Sequence, residues 1–174
     1  MYLGKETMLE KIIVIGSPGA GKSTFARQLR DITSLPLYYL DMLWHKPDKT
    51  NVSCDEFDKK LNEILCRDRW IIDGNYQRTL KVRFEHCDTV FLLDYPPEIC
   101  LAGAKARIGT KREDMPWIET EFDREFRQWI VDFPVQTLPK IYQMLDNYKD
   151  KNIVIFKSRE EADLYLNKIK SDMK

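Results

Sequence analysis

The chain has 174 residues, 43% hydrophobic and 32% charged, enough for one domain with a buried core and too few for two. Its 28 basic residues balance 28 acidic ones, so no net field draws it to DNA, RNA or an anionic membrane, and direct nucleic-acid binding is not expected. No run approaches the roughly 20 apolar residues of a membrane span. Cys54, Cys66, Cys87 and Cys100 form no C-x-x-C pair and His45 and His86 stand far apart, so metal-ligand spacing is missing and reduced thiols in a cytoplasmic protein are expected.

In chain order, residues 1–8 carry no pattern and are expected to be an extension; Glu6 and Glu10 interrupt any secretory-type apolar stretch. Ile12-Ile13-Val14-Ile15 then reads as a strand entering Gly16-Ser17-Pro18-Gly19-Ala20-Gly21-Lys22-Ser23, a complete G-x-x-x-x-G-K-[ST] loop. Glycines let successive N–H groups point at one phosphate chain, Lys22 reaches its terminal groups, and the Ser23 hydroxyl suits Mg²⁺. Phe25, Ala26, Leu29 and Ile32 follow at helical spacing, which puts a positive helix N-terminus under the phosphates. Gly16, Ser17, Gly19, Ala20, Gly21, Lys22, Ser23 and Thr24 are therefore candidate nucleotide-binding residues.

Further apolar runs predict strands at Leu35 to Asp41, Trp70 to Gly74, Thr89 to Asp94 and Asn152 to Phe156. Between them, helical patterns cover Glu56 to Cys66, Arg78 to His86 and Pro97 to Arg107. Two more helices, Glu119 to Asp132 and Gln136 to Tyr148, are expected to separate at Pro134, and Glu160 to Ile169 closes the chain. Continuous apolar strands alternating with helices predict a three-layer α/β fold around a five-stranded parallel sheet. Asp41, Asp73 and Asp94 would then stand at the C-terminal strand edge, where such sheets bind ligands. There an aspartate holds Mg²⁺ through water, orients or deprotonates an acceptor hydroxyl, or caps the next helix.

The segment Asp73-Gly74-Asn75-Tyr76-Gln77-Arg78 resembles the adenylate-kinase-like small P-loop kinases. The resemblance makes Asp73 a Mg²⁺-linked acid and Arg78 a clamp on an acceptor phosphate, a task suited to a planar, permanently charged fork. Lys11 to Gly16, Tyr39-Leu40-Asp41 with Trp44 and Lys46, Trp70 to Tyr76, and Phe91 to Pro96, taken together, resemble the bacterial DNA topology modulation proteins, relatives of adenylate kinase, from about Leu9 onward. Asp41 becomes the candidate acceptor-side acid, with Trp44 and Tyr76 as an aromatic wall.

Kinases of this type close an arginine-bearing lid over the transferred group. Arg107 to Arg112 fits a short lid, spanning about 108–117, without a zinc-type cysteine set. By resemblance Arg107 would stack on the base, and Arg112, Arg124 and Arg127 would reach phosphate oxygens. Arg159, after the fifth strand, falls where relatives place the adenine loop.

The expected activity is transfer of the γ-phosphoryl group of ATP, with Mg²⁺, to a small-molecule phosphate acceptor, by a monomer or homodimer. The alternative is an ATP-binding regulator linked to DNA topology. GTP specificity is not expected, since Asn147-Tyr148-Lys149-Asp150 misses the guanine-reading Asn-Lys-x-Asp order.

Overall fold

A computed structural model describes residues 9–173; the expected extension, residues 1–8, lies outside them. Five parallel strands form one sheet in the order β2-β3-β1-β4-β5: β1 Lys11–Gly16, β2 Leu37–Tyr39, β3 Trp70–Asp73, β4 Thr89–Leu93 and β5 Asn152–Phe156. The helices are α1 Lys22–Thr33, α2 Leu40–Trp44, α3 Cys54–Leu65, α4 Gln77–His86, α5 Pro97–Ala106, α6 Arg124–Gln136, α7 Leu138–Asp146 and α8 Arg159–Asp172. This is the expected three-layer α/β architecture.

The period-2 alternation of side chains divides each apolar strand between two cores. Ile13, Ile15, Ile72 and Leu92 meet Phe57, Leu61, Phe84 and Ile141 from α3, α4 and α7. Ile12, Val14, Ile71 and Phe91 meet Phe25, Leu29, Cys100 and Leu166 from α1, α5 and α8. Helix α6 joins the two cores, with Ile130 in one and Phe133 in the other. Burial on both faces explains why the strands read as unbroken apolar runs.

Three expectations need correction. The second strand stops at Tyr39, and Asp41 lies in the first turn of α2, because fully buried Leu40 starts a helical turn closed by His45 N–H donating to Asp41 O at 2.9 Å. Nor does Pro134 separate the helices: it sits inside α6, and the junction falls at Thr137. A proline near a helix C-terminus removes one late hydrogen bond, and Pro139 occupies the first turn of α7, where a missing N–H costs nothing. The helix expected from Glu119 starts only at Arg124, where the Asp123 carboxylate accepts from Phe126 N–H at 2.8 Å.

All four cysteines are free thiols. Among the described residues no helix is long and apolar enough to cross a membrane.

Candidate active site

Strand β1 ends at Gly16, and the chain turns through residues 17–21 into α1. Positive φ values at Gly16 (145°) and Gly19 (80°) are open to glycine without strain. Space also demands it: a Cβ on Gly19 would lie 2.1 Å from Cys100 O, because α5 packs directly on the loop. Lys22 is folded back over this turn, its ammonium donating to Ser17 O at 3.0 Å. Burial pushes the Lys22 pKa down, against the raising influence of the Asp73 and Asp41 charges.

Asp73 closes β3 beside the loop, and Ser23 Oγ donates to its Oδ2 at 2.5 Å. Its Oδ1 is buried without any hydrogen-bond partner. Desolvation raises the Asp73 pKa to about 6, opposed by Lys22 and the Ser23 hydroxyl. A buried carboxylate oxygen left unpaired is costly, and a hard cation bound between it, the Ser23 hydroxyl and a phosphate would satisfy it. The donor set thus fits Mg²⁺ held jointly with a nucleotide; among the described residues no group of three or more His, Cys, Asp or Glu could hold a metal ion.

Two cavities meet at this point. One, of about 460 Å³, runs along the loop and the start of α1, including Gly19, Gly21, Lys22, Ser23 and Thr24. Arg107, Arg112 and Arg159 close its other sides. The second, of about 680 Å³, shares Lys22, Ser23, Arg107 and Asp114 with the first and opens between Asp41, Asp73, Trp44 and Tyr76. Of residues 108–117, Arg112 lines the first cavity, Asp114 faces both, and Met115 and Trp117 face the second. Asp114 is buried, with Arg27 Nη1 at 3.3 Å and Arg112 Nη1 at 3.2 Å. Arg107 lies over the Phe126 ring at 4.9 Å, its Nε 3.0 Å from Glu119. Burial lowers the Arg107 pKa, with Glu119 acting to restore it.

Not every expected residue is brought here. Arg78 points away, forking onto Asp58 of α3 at 2.9 and 2.7 Å on the exposed surface, and lines neither cavity. Its carboxylate partner sits one helix away, which no local pattern reveals. Arg124 is exposed and lines neither cavity; Arg127 borders a shallow depression beside Leu101 and Phe122. Asp94 anchors the sheet edge instead of the loop, accepting from Tyr142 Oη at 2.6 Å and from Lys157 Nζ.

Two supporting residues take their roles only in three dimensions. Asn75 clips the loop to the β3 turn: its Oδ1 accepts from Gly16 N–H at 3.0 Å and its Nδ2 donates to Gly16 O at 2.8 Å. Arg83, fully buried, donates to Gly74 O at 2.8 Å, Tyr76 O at 3.1 Å and Asn75 O. Burial pushes its pKa down to about 9. The clamp holds Tyr76 at φ 34°, a left-handed conformation unusual for a large side chain, and so aims its hydroxyl at Asp41 Oδ1, 2.7 Å away. Asn75 lies within the Asp-Gly-Asn-Tyr segment, and Arg83 is signalled by a cation on the buried face of a helix beside Leu80 and Phe84.

Fold and site together define a P-loop nucleotide-binding protein of the three-layer α/β class. No family model matches the chain. It is 32% identical over 98 residues to the adenylate kinases of Thermotoga petrophila and Thermotoga maritima, and 29% to that of Thermotoga neapolitana. These matches cover 55% of this chain and 44% of each relative, so the chain aligns with under half the length of the curated relatives it matches. Shikimate kinase from Acinetobacter baumannii, solved in complex with shikimate, superimposes with a TM-score of 0.60 at 18% identity, covering 95% of this chain and 96% of that one. The shikimate kinase of Bacteroides thetaiotaomicron gives 0.58 at 14%, covering 95% and 98%. A sugar kinase from Janibacter gives 0.51 at 14%, covering 92% and 91%. The chain is thus a homologue of adenylate kinases over the matched span and shares its fold with small P-loop kinases.

Proposed function

We propose that this protein is a small-molecule kinase that transfers the γ-phosphoryl group of ATP to a hydroxyl of a small acceptor. The observation that carries the reading is the meeting of two cavities at Lys22, Ser23 and Arg107, one along the phosphate loop and one against Asp41. A mere nucleotide switch has no need of the second. Mg²⁺, held by Ser23 and Asp73, would neutralise charge on the transferred group.

The chain's own groups divide the remaining work. Backbone N–H groups of the loop and Lys22 bind the donor phosphates, while Arg107 and Arg112 supply positive charge where it develops. Asp41, oriented by Tyr76, accepts the proton of the attacking hydroxyl. That oxygen bonds to Pγ as the bond from Pγ to the β,γ-bridging oxygen breaks, and the bridging oxygen leaves with ADP. Arg159 flanks the far end of the donor cavity, where the nucleoside of ATP would lie. Residues 108–117 act as the short lid that excludes water.

The test is ADP formation across a panel of hydroxyl acceptors with Mg-ATP. At least one acceptor should raise turnover well above the hydrolysis seen without it; no stimulation by any would overturn the reading. Lys22→Ala should abolish turnover while circular dichroism shows the fold retained. The resemblance to DNA topology modulation proteins belongs to the same reading through its nucleotide-site segments. A regulatory role at DNA is disfavoured by zero net charge, and a duplex titration at varied salt checks it.

A further inference from the structure

Resting on the kinase reading, we propose that the acceptor is a non-anionic hydroxyl compound with a flat ring, bearing no phosphate or carboxylate of its own. The acceptor cavity is lined by four carboxylates, Asp41, Asp73, Asp114 and Glu119, and two cations, Lys22 and Arg107; Asp114 and Glu119 are further occupied by Arg112, and Asp114 by Arg27. Neither cation is placed to receive an acceptor anion. Lys22 is bent onto Ser17 O in the donor loop, and Arg107 is held by Glu119 and stacked on Phe126. The two arginines that follow the Asp-Gly turn are committed elsewhere, Arg78 to Asp58 outside the cavity and Arg83 to the carbonyls of residues 74–76. Among the described residues, the cavity therefore offers no guanidinium fork open to an acceptor phosphate.

A phosphate entering there would face the Asp41 carboxylate and the donor's own phosphates with no open cation to receive it, a balance that disfavours it. What the walls do offer is aromatic area. Trp44 and Tyr76 rise on one side, braced by Phe57, whose ring stacks on Tyr76 at 5.2 Å. Trp117, edge-on to His45 at 5.0 Å, and Trp129 complete the slot. Flat apolar faces bind a ring without needing charge, and Asp41, with one oxygen taken by Tyr76, keeps the other for a hydroxyl.

The experiment uses matched pairs, adenosine with AMP, cytidine with CMP and thymidine with its 5′-monophosphate, in two readouts. Mg-ATP-dependent ADP formation gives kcat/KM, and quenching of the protein's tryptophan emission, three of whose sources line the slot, gives affinity. The phosphate-free member should be favoured at least about tenfold in kcat/KM and in affinity. Equal or better use of a monophosphate, or no quenching by any phosphate-free ring compound at millimolar concentration, overturns the proposal. Glu119→Gln, which weakens the hold on Arg107, should narrow the ratio severalfold, and an unchanged ratio removes its electrostatic basis. Failure of the kinase reading looks different: quenching follows the expected order while no acceptor stimulates ADP formation.

Discussion

Glu119 Oε2 lies 3.0 Å from Arg107 Nε and 3.1 Å from Arg112 Nη2, so one carboxylate spans the two inner arginines of the arm. Neither contact is aligned as a hydrogen bond, and all three atoms are buried without a directed partner. Beside one long hydrogen bond, Arg107 Nη2 donating to Glu119 Oε1 at 3.4 Å, close charges in poor geometry hold the arm together without satisfying it. Phosphate oxygens entering from the donor cavity would give both guanidinia charge and alignment at once.

Glu119→Ala should therefore act in opposite directions on the free and the nucleotide-bound protein. Arg107 loses its carboxylate while Arg112 keeps Asp114, in a partly screened setting with Glu119 22% and Arg112 14% exposed, which should cost roughly 1–2 kcal/mol of stability. The same change removes the group that phosphates must displace, so Mg-ATP should bind more tightly. Thermal melts with and without Mg-ATP, together with a calorimetric titration, check both arms; weaker nucleotide binding would show that Glu119 orients the arginines rather than occupying them.

Asp73 gives the site a pH dependence of predictable sign. Its pKa is raised to about 6 in the folded chain, against an ordinary value of 3.8, so the native state holds the extra proton between those values. Stability contributed by this group is fully present below about 4 and is lost as pH rises to about 6, a change of roughly 3 kcal/mol. Mg²⁺ binding runs the other way, since it needs the carboxylate ionised. Nucleotide-dependent Mg²⁺ affinity should fall below about pH 6, and Asp73→Asn should flatten both the melting-temperature and affinity profiles over that range.

The sheet was legible because a parallel strand buried on both faces has to be an unbroken apolar run, as Ile12 to Ile15 and Val90 to Leu93 are. The loop was legible because its glycines answer to backbone geometry that spacing alone records. Asp41 was placed one element early because Leu40 belongs equally to an apolar strand and to the buried side of a helix, and only packing decides. Arginine roles were the least legible: Arg78 and Arg107 differ by which acid faces them, and Asp58 and Glu119 stand 20 and 12 residues away in the chain. A charge pattern in one dimension does not say which partner wins in three.

Arg78 and Arg83 both belong to α4 and should separate cleanly on substitution. Arg78 sits at the surface with Asp58, where solvent screens the pair. Arg78→Ala should leave kcat/KM within about twofold of the parent and barely move the melting temperature. A loss of about a hundredfold would place its guanidinium at the acceptor during turnover.

Arg83→Met keeps the length of the side chain and removes its donors, leaving the carbonyls of Gly74, Asn75 and Tyr76 without their buried partner. The fully buried guanidinium, with its pKa pushed down to about 9, is itself costly to house, so some of the loss is offset. A net loss of about 3 kcal/mol is expected, roughly 10 °C in melting temperature for a chain of this size. With the clamp gone, Tyr76 relaxes from φ 34°, its hydroxyl leaves Asp41, and the acceptor acid loses its orientation. Turnover measured well below the new melting temperature should therefore fall through kcat more than through the KM for ATP, whose loop Arg83 does not touch. An equal rise in the ATP KM would instead mean that the Asn75 clip on Gly16 fails together with the clamp.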